Sequence, residues 1–344
     1  MTPSSGLPLR LAVDLRHLPR DGGPGAGVEH ASIELVQALR PLAADAGIDL
    51  VPLYEPKGAF GFSTAVRMKR AHAVLVPSGS VPPFLRKPFY PWVHDVAIFR
   101  HPEWFPQHPA KRGLTTRLFL RGVRHARHVF AVSEDTKRAL MEIAHIPSDR
   151  ITVTYQAIHQ IRSSAQPQSI TRPYALIMGT VEPRKNIHPI VQLWPRIVES
   201  MSAPLTLVIA GRPGWGTVND QIIREFGDAP WLVRLNDVSD RERDALVQHA
   251  TMLLVPSLHE GFGRTALEGL SAGVPVIASN GGALPEILGD AGVLLDPNDD
   301  DGWISAIRET YARPHDPRPG YSRAALFTWQ KTATIMLAKI METW

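Results

Sequence analysis

The chain has 344 residues, a formal charge of +4, 44% apolar and 20% charged residues, a composition typical of a globular protein with room for two domains. It contains no cysteine, which excludes disulfides, thiolate nucleophiles and Cys-ligated zinc. No apolar run reaches the roughly 18 residues of a membrane span, and the opening residues MTPSSGLPLR lack a signal-peptide core. We therefore expect a cytoplasmic protein.

Short apolar runs alternate with helical patterns along the first half of the chain. The first predicted strand, 11–14, leads into a glycine-rich loop that ends with Gly25, Ala26 and Gly27, and a helical pattern follows from Val28 to about Leu39. A strand, a glycine loop and a helix begin a βα unit, and many such turns bind nothing. Further strands are predicted at 50–54, 73–77, 91–94 and 129–133.

One imidazole falls at the end of a predicted strand. His94 closes the run 91–94 and so lies at the carboxyl edge of the sheet, where α/β proteins bind ligands. A single histidine among the 14 in this chain is also commonly a structural hydrogen-bonding residue. Both interpretations stay open on this pattern alone.

A basic segment follows, from 111 to 128. The chain has no acidic residue between Glu103 and Glu134, whereas that interval holds several cations: Lys111, Arg112, Arg117, Arg121, Arg124 and Arg127. Apolar residues interleave with them at near-helical spacing, which predicts an amphipathic helix with a solvated basic face. The alternative is a patch that contacts anionic lipid headgroups or a lipid-diphosphate acceptor. Nucleic acid is disfavoured because no aromatic stacking pattern accompanies the charges.

A polar segment separates two halves of similar organisation. Residues 160–173 are rich in Ser, Gln and Pro without periodicity, which indicates an interdomain linker. We predict an N-terminal domain over 1–165, a C-terminal domain over 166–325 and a last helix over 326–344, within a helical pattern that begins at Arg323. Strand-then-helix units in both halves predict an α/β fold with two doubly wound parallel sheets.

The second half carries two groups of candidate ligand-binding residues. Arg184 and Lys185 fall between the strand 174–178 and the next helix, where they could neutralise a diphosphate or simply be solvated loop charges. Glu260 follows the apolar run 252–255, and Glu268 lies in the helix after it, so the two carboxylates are separated by roughly 10 Å. They could hold the two ends of a long ligand, or be solvated surface groups.

The loop between these glutamates predicts an anion site. Its remaining candidate residues are Gly261, Phe262, Gly263, Arg264 and Thr265. A glycine turn that opens a helix presents backbone N–H groups and a helix N-terminus to a ligand. A second glycine loop at 279–282 follows the apolar run 274–278.

These motifs resemble retaining glycosyltransferases of family 4. Glu260 and Glu268 match the E-x7-E signature, and the neighbouring sequences GFG, AGVPVIAS and LPEILGDAG match in the same order. The first glycine loop, His94 with Asp95, and GTVEPRKN also resemble the family, although Thr180 stands where one common version has Arg. The resemblance covers nearly the whole chain and is closest to bacterial mannosyltransferases of O-antigen and exopolysaccharide assembly.

The resemblance implies a fold and a set of roles. It implies GT-B, two Rossmann-like domains facing a cleft, with the last helix crossing back to the first domain. It implies that Glu260 contacts sugar hydroxyls, Glu268 the nucleotide ribose, and His94 the sugar or its phosphate. Arg184 and Lys185 would bind the donor diphosphate, the first glycine loop would lie close to the phosphates and acceptor, and no metal would be required.

The implied reaction transfers a sugar from a nucleotide sugar, with GDP-mannose as the expected cosubstrate, to a glycan or lipid-linked acceptor in cell-surface polysaccharide synthesis. We expect first-domain loops, including Trp92, Phe99 and Trp104, to shape the acceptor pocket. Alternatives are another donor with a GDP, UDP or dTDP base, a sugar-nucleotide epimerase, or a non-catalytic nucleotide-sugar binding protein. A nicotinamide oxidoreductase is disfavoured because no G-x-G-x-x-G follows the first strand.

Overall fold

The structure, a computed structural model, describes residues 9–18, 27–54, 66, 70–106, 108–158, 161, 166–170, 173–199, 201 and 203–344. Gly25, Ala26 and half of the predicted linker 160–173 therefore lie outside the described residues. The chain divides into two compact units. Unit 1 comprises Met1–Arg100, Gln107–Ala157 and Phe327–Trp344, and unit 2 comprises His101–Pro106 and Ile158–Leu326.

The strands and helices alternate along the chain. The strands are β1 Leu9–Asp14, β2 Ile48–Leu53, β3 Ala73–Val76, β4 Phe89–Val93, β5 Val129–Ala131, β6 Ile151–Val153, β7 Tyr174–Met178, β8 Thr206–Ala210, β9 Leu232–Leu235, β10 Met252–Val255, β11 Val276–Ser279 and β12 Val293–Leu295. The helices are α1 Gly27–Asp45, α2 Ala97–Arg100, α3 Pro109–His125, α4 Glu134–Ala144, α5 Ile187–Glu199, α6 Val218–Phe226, α7 Asp240–His249, α8 Arg264–Ser271, α9 Leu284–Leu288, α10 Asp300–Ala312, α11 Arg318–Ala324 and α12 Trp329–Thr343.

Unit 1 is built on a six-stranded parallel sheet with the order β2-β1-β3-β4-β5-β6. The strand order reverses between β1 and β3, which makes that position the switch point of this sheet. α1 packs against α12, so the last helix of the chain completes the helical layer of unit 1. Ser133 caps the start of α4, because its Oγ accepts a hydrogen bond from the backbone N–H of Thr136 at 3.0 Å.

Unit 2 contains a second six-stranded parallel sheet, in the order β12-β11-β10-β7-β8-β9. Its switch point lies between β7 and β10. Successive residues of these strands enter opposite cores: Ile177 packs with α5 residues such as Trp194, whereas Leu176 packs with Ala266 of α8. Burial on both faces explains the continuous apolar runs of the sequence. The predicted α/β fold with two doubly wound parallel sheets is confirmed.

Two helical predictions are wrong in extent. α1 continues to Asp45 with Pro41 inside it, beyond the predicted end near Leu39. The predicted helix over 323–344 is two helices, α11 and α12, and Thr328 caps the second by accepting from the backbone N–H of Lys331 at 3.2 Å. Among the helices that the structure describes, none has both the length and the apolar character needed to span a bilayer.

Candidate functional site

Two loops at the switch point of unit 2 bring together three of the predicted donor-site residues. Arg184 and Lys185 lie in the short 3-10 turn Pro183–Lys185, which follows β7. Glu260 follows β10, the neighbour of β7 in the sheet. Side chains that leave the carboxyl ends of adjacent parallel strands converge, and here they form an ion-pair network.

Glu260 lies at the centre of this network. Its Oε1 is 2.6 Å from Lys185 Nζ, and its Oε2 is 3.2 Å from Arg184 Nη1. Ser257 Oγ donates to Glu260 Oε1 at 2.6 Å, and Arg184 Nη1 also donates to the carbonyl oxygen of His259 at 2.8 Å. The carboxylate and both cations therefore have defined positions before any ligand contact is considered.

A second carboxylate, which the sequence analysis missed, orients Arg184. Glu182 is only 3% exposed, and its Oε1 accepts from Arg184 Nη2 at 2.8 Å. Burial raises the pKa of Glu182, while the nearby Arg184 and Lys185 oppose that rise. The network thus pairs two cations with two carboxyl groups in a partly buried setting.

The electrostatic balance keeps Glu260 ionised. Burial alone would raise its pKa, but Lys185 and Arg184, with hydrogen bonds from Lys185 and Ser257, lower that pKa to about 2. At neutral pH the side chain is therefore a carboxylate that accepts hydrogen bonds and cannot donate one. It is suited to holding hydroxyl groups and unsuited to general acid catalysis.

The two glycine loops of unit 2 pack directly on each other. Gly263 has a φ of +97°, and a Cβ there would lie 2.9 Å from the side chain of Leu284, so only glycine fits without a shift. Gly282 pairs with Glu260 in an isolated β-bridge, and the backbone N–H of Ala283 donates to the Glu260 carbonyl at 2.9 Å. The close backbone approach predicted for this loop is thus an approach to the second glycine loop.

The residues after Glu260 lead into α8. Gly261 and Phe262 are buried, and Gly263 is the N-cap of the helix. Arg264 and Thr265 are its first two residues and are half-buried. The first backbone N–H groups of a helix have no intrahelical partner, which makes this end of α8 suited to an anion.

Glu268 lies in the second turn of α8 and is nearly inaccessible. It is 2% exposed and forms an ion pair with Arg243 of α7, which also contacts Asp244 at 3.2 Å. Burial lowers the pKa of Arg243, but the carboxylates of Glu268, Asp244 and Asp240 together raise it above its ordinary value. Arg243 was not predicted from the sequence, because a tertiary contact between two helices leaves no spacing pattern.

His94 lies in unit 1, directly after β4, with 8% of its surface exposed. Its Nε2 is 2.6 Å from the carbonyl oxygen of Pro77, and its Nδ1 is 2.7 Å from Gln156 Nε2. A carbonyl can only accept and the amide NH₂ can only donate, which assigns the neutral imidazole with its proton on Nε2. Both ring nitrogens are therefore bonded within unit 1.

The other predicted residues of the first half have mixed outcomes. Gly25 and Ala26 lie outside the described residues, and Gly27 is the first residue of α1. The prediction that Trp92 lines the acceptor pocket is wrong, because its side chain is fully buried within unit 1 and donates to the carbonyl of Thr154 at 3.2 Å. Phe99 stacks on Phe119 of α3 with ring centres 4.4 Å apart.

In the described ranges, no group of three or more His, Asp or Glu side chains is arranged to hold a metal ion. The predicted absence of a metal requirement stays a prediction. The separation of roughly 10 Å between the carboxylates of Glu260 and Glu268 also stays a prediction.

Comparison with known proteins places these loops in a family. The family model for Glycosyl transferases group 1 matches residues 161–323. The chain is 29% identical over 256 residues to O-antigen chain mannosyltransferase B of Escherichia coli, a match that covers 70% of this chain and 67% of that protein. It is 28% identical to O-antigen chain mannosyltransferase RfbU of Salmonella typhimurium, covering 64% of this chain and 60% of the relative.

Solved structures establish the fold. Anabaena Alr3699/HepE in complex with UDP and glucose is 16% identical and superposes with a TM-score of 0.72, covering 97% of this chain and 99% of that one. Sucrose-phosphate synthase from Thermosynechococcus elongatus is also 16% identical, with a TM-score of 0.71 and coverage of 97% and 98%. The chain has the GT-B fold, and its residues 161–323, which hold the network of Arg184, Lys185 and Glu260, match the Glycosyl transferases group 1 family model.

Proposed function

We propose that this protein is a retaining glycosyltransferase that transfers mannose from GDP-mannose to a glycan or lipid-linked acceptor in cell-surface polysaccharide synthesis. The observation that carries the proposal is the network of Arg184, Lys185 and Glu260 at the switch point of unit 2. Two relatives are named O-antigen chain mannosyltransferases, and a Mycobacterium tuberculosis relative, 27% identical over 242 residues, is named a GDP-mannose-dependent mannosyltransferase. These names support mannose and a guanine base.

The leaving group of such a reaction is a nucleoside diphosphate, and its developing charge must be stabilised. Arg184 and Lys185 supply two positive charges in a partly buried loop, where they interact more strongly with an anion than they would in water. The backbone N–H groups at the start of α8 add a second anion-binding element. These groups would do what a metal ion does in other transferases.

Glu260 competes with the diphosphate for the same cations. When phosphate oxygens bind Arg184 and Lys185, the ion pairs to Glu260 weaken and its carboxylate becomes available to accept hydrogen bonds from the sugar. While it is paired with Lys185 and Arg184, the carboxylate is ionised, with a pKa of about 2. The exchange of partners couples diphosphate binding to sugar positioning.

The chemical step balances without a protein nucleophile. The bond between the sugar C1 and the phosphate oxygen breaks, the acceptor hydroxyl oxygen bonds to C1 on the same face, and the departing phosphate oxygen takes the acceptor proton. The products are the glycoside and the nucleoside diphosphate. His94 would contact the sugar or its phosphate only after releasing its bond to Pro77 or Gln156.

We propose that Glu268 accepts from the ribose hydroxyls, with Arg243 holding its carboxylate in place. Glu268 is 2% exposed, so contact with a ribose requires the groups that cover its carboxylate to move. The pairing with Arg243 offsets the cost of burying a charge. This arrangement would place the nucleoside half of the donor beside α8.

The basic segment gives the proposed peripheral membrane contact a physical basis. On α3, Leu114 is 59% exposed among the cations, and Phe84 is 64% exposed beside Arg121, whose guanidinium carbon lies 5.4 Å from the ring centre. Exposed apolar side chains among arginines suit an anionic membrane surface.

We propose a cytoplasmic location with this membrane contact. The test compares how wild type and Arg117→Glu/Arg121→Glu co-sediment with phosphatidylglycerol vesicles and with phosphatidylcholine vesicles. Equal binding to both kinds of vesicle would contradict it.

Thermal stability with a panel of nucleotides is the first test of the donor. A ligand present at 100 times its Kd adds about 2.7 kcal/mol of stability. We expect GDP and GDP-mannose to raise the Tm selectively over the UDP, dTDP and ADP forms. A selective rise in Tm with nucleotides of another base would assign a different donor. No rise in Tm with any nucleotide would contradict the proposal.

Product analysis then separates the classes of activity. A transferase moves labelled mannose onto an acceptor, an epimerase changes the sugar on the nucleotide without any acceptor, and a binding protein leaves the nucleotide sugar unchanged. The Lys185→Met variant serves as the control, because it removes a cation that every turnover of the proposed reaction needs.

A further inference from the structure

A segment of six residues, His101–Pro106, groups with unit 2 although its neighbours in sequence belong to unit 1. The segment begins with a 3-10 turn over Pro102–Trp104. The backbone N–H of Trp104 donates to the His101 carbonyl at 3.1 Å, and the His101 and Trp104 rings stack with centres 4.0 Å apart. These contacts hold the rings in place before any partner arrives.

The segment contacts the rest of unit 2 through a second tryptophan. Trp215 Nε1 donates to the Trp104 carbonyl oxygen at 2.6 Å, and the Trp215 ring stacks on Phe105 with centres 5.5 Å apart and planes 27° apart. Gly214 and Gly216 flank Trp215, and Gly216 has a φ of +82°, which favours glycine. Four rings therefore form two stacked pairs joined by one hydrogen bond.

This aromatic row lies against both loops of the candidate site. The backbone N–H of Gly214 donates to the Val181 carbonyl at 2.9 Å, which ties the Trp215 turn to the loop that carries Arg184 and Lys185. At the other end, the His101 ring centre is 6.4 Å from that of His259, the residue before Glu260. The row is thus anchored to the residues proposed to hold the donor diphosphate and sugar.

The rings are only partly covered. Trp104, Phe105 and Trp215 are half-buried, and the side chain of His101 is 39% exposed beside Glu103 at 62%. A core packing role would bury these rings as fully as Trp92 or Trp194, which are 0% exposed. Half-buried aromatic rings with polar side chains at their rim suit a pyranose, whose C–H face packs on a ring while its hydroxyls bond to the polar groups.

We propose that the row of His101, Trp104, Phe105 and Trp215 is a glycan-binding surface that holds the acceptor chain beside the donor sugar. A donor carries one transferred sugar, whereas four rings in a row offer contact to more than one pyranose. The inference rests on the proposed function for the acceptor role and for the choice of mannose as the sugar.

The binding test needs no turnover. Saturation-transfer NMR with an α-linked mannotetraose and with methyl α-mannoside compares wild type with Trp104→Ala, Phe105→Ala and Trp215→Phe, and with Tyr54→Ala, which removes an exposed aromatic side chain of unit 1. We expect mannotetraose to bind wild type and Tyr54→Ala alike and to bind the two alanine variants about two- to tenfold more weakly. Trp215→Phe keeps an aromatic ring at this position and loses the hydrogen bond to the Trp104 carbonyl. Its affinity for mannotetraose should therefore lie between those of wild type and the alanine variants.

A kinetic test separates the acceptor from the donor. With GDP-mannose, the alanine variants are expected to raise the KM for mannotetraose while the KM for GDP-mannose and its slow hydrolysis stay unchanged. A raised donor KM instead would assign the rings to the nucleotide and overturn the inference, as would no mannotetraose binding to wild type. Failure of GDP-mannose as a donor with intact glycan binding would contradict the proposed donor alone.

Discussion

The two units end their strands in chemically opposite ways. In unit 2, Arg184, Lys185 and Glu260 form ion pairs whose partners a phosphate can replace. In unit 1, His94 is neutral, and both of its ring nitrogens are bonded to groups of the same unit. A polar side chain at the end of a strand is therefore not by itself evidence of a binding site. Ion pairs whose partners a ligand can replace indicate a binding site, whereas hydrogen bonds between neutral groups of the same unit indicate a structural role.

The largest expected effect follows from removing the charge of Glu260. We predict that Glu260→Gln lowers kcat by about 10²- to 10³-fold, because the sugar loses a charged hydrogen-bond acceptor during the reaction. The fold should persist, since the amide can still accept from Ser257. Steady-state transfer assays and Tm measurements check both statements.

The same variant tests the competition for the cations. Inorganic pyrophosphate should bind Glu260→Gln at least as tightly as it binds wild type, because the carboxylate that neutralises Lys185 and Arg184 is gone. Glu309→Gln, at an exposed position on α10, is the matched control. Wild-type turnover in Glu260→Gln, or weaker pyrophosphate binding, would contradict the proposed role.

The two cations should differ in what they do for stability. Arg184→Met and Lys185→Met are each predicted to weaken pyrophosphate binding by about 10- to 100-fold, the size of a charged hydrogen bond. Arg184→Met should lower the Tm more than Lys185→Met does, because it also leaves the carboxyl of Glu182, 3% exposed, without its guanidinium partner. Titration calorimetry and thermal unfolding separate the two losses. Equal Tm changes would contradict the assignment of Glu182.

A smaller effect is expected at the pair of Arg243 and Glu268. Arg243→Met should weaken GDP binding by about tenfold and leave pyrophosphate binding unchanged, because the pair serves the ribose and not the phosphates. The double variant Arg243→Met/Glu268→Gln should bind GDP no more weakly than Glu268→Gln alone. Arg241→Met, on the exposed face of the same helix α7, is the control. Additive losses of GDP affinity in the double variant, or weaker pyrophosphate binding, would contradict this role.

His94 provides the counterpart in unit 1. His94→Ala should lower the free energy of unfolding by about 1–3 kcal/mol, because the buried Pro77 carbonyl and the Gln156 amide lose their partner. Pyrophosphate binding should stay unchanged. His125→Ala, at an exposed position, is the control. Weakened pyrophosphate binding with unchanged stability would reverse the comparison between the units and make His94 a ligand-binding residue.

Much of the architecture was predictable because both faces of the sheets are buried. The predicted strand 174–178 and the apolar run 252–255 have the same bounds as β7 and β10. The division of the last helix was missed although its signal is in the sequence, since Thr328 precedes α12 with the spacing of a cap.

The contacts that define the candidate site were less accessible to sequence reasoning. Arg184, Lys185 and Glu260 were predicted from their loops, but that they pair with each other was not. Neither Glu182 nor Trp215 was predicted as a site residue. Each acts through a contact with a residue remote in sequence, such as the Trp215 bond to the Trp104 carbonyl, and no periodicity encodes such contacts.

The smallest effect is a dependence of stability on pH. The pKa of Glu260 is lowered from 4.5 to about 2 in the folded protein, so the folded state favours its ionised form. Its contribution to stability is therefore fully present above pH 4.5 and is lost as the pH falls toward 2. The difference in free energy of unfolding between wild type and Glu260→Gln isolates this contribution from the other carboxyl groups. Urea unfolding at a series of pH values from 7 to 3 should show that difference shrinking only below about pH 4.5. A difference that is constant over this range would mean that Glu260 is not held by Lys185 and Arg184 in solution, and the ionic character that distinguishes unit 2 from unit 1 would lose its basis.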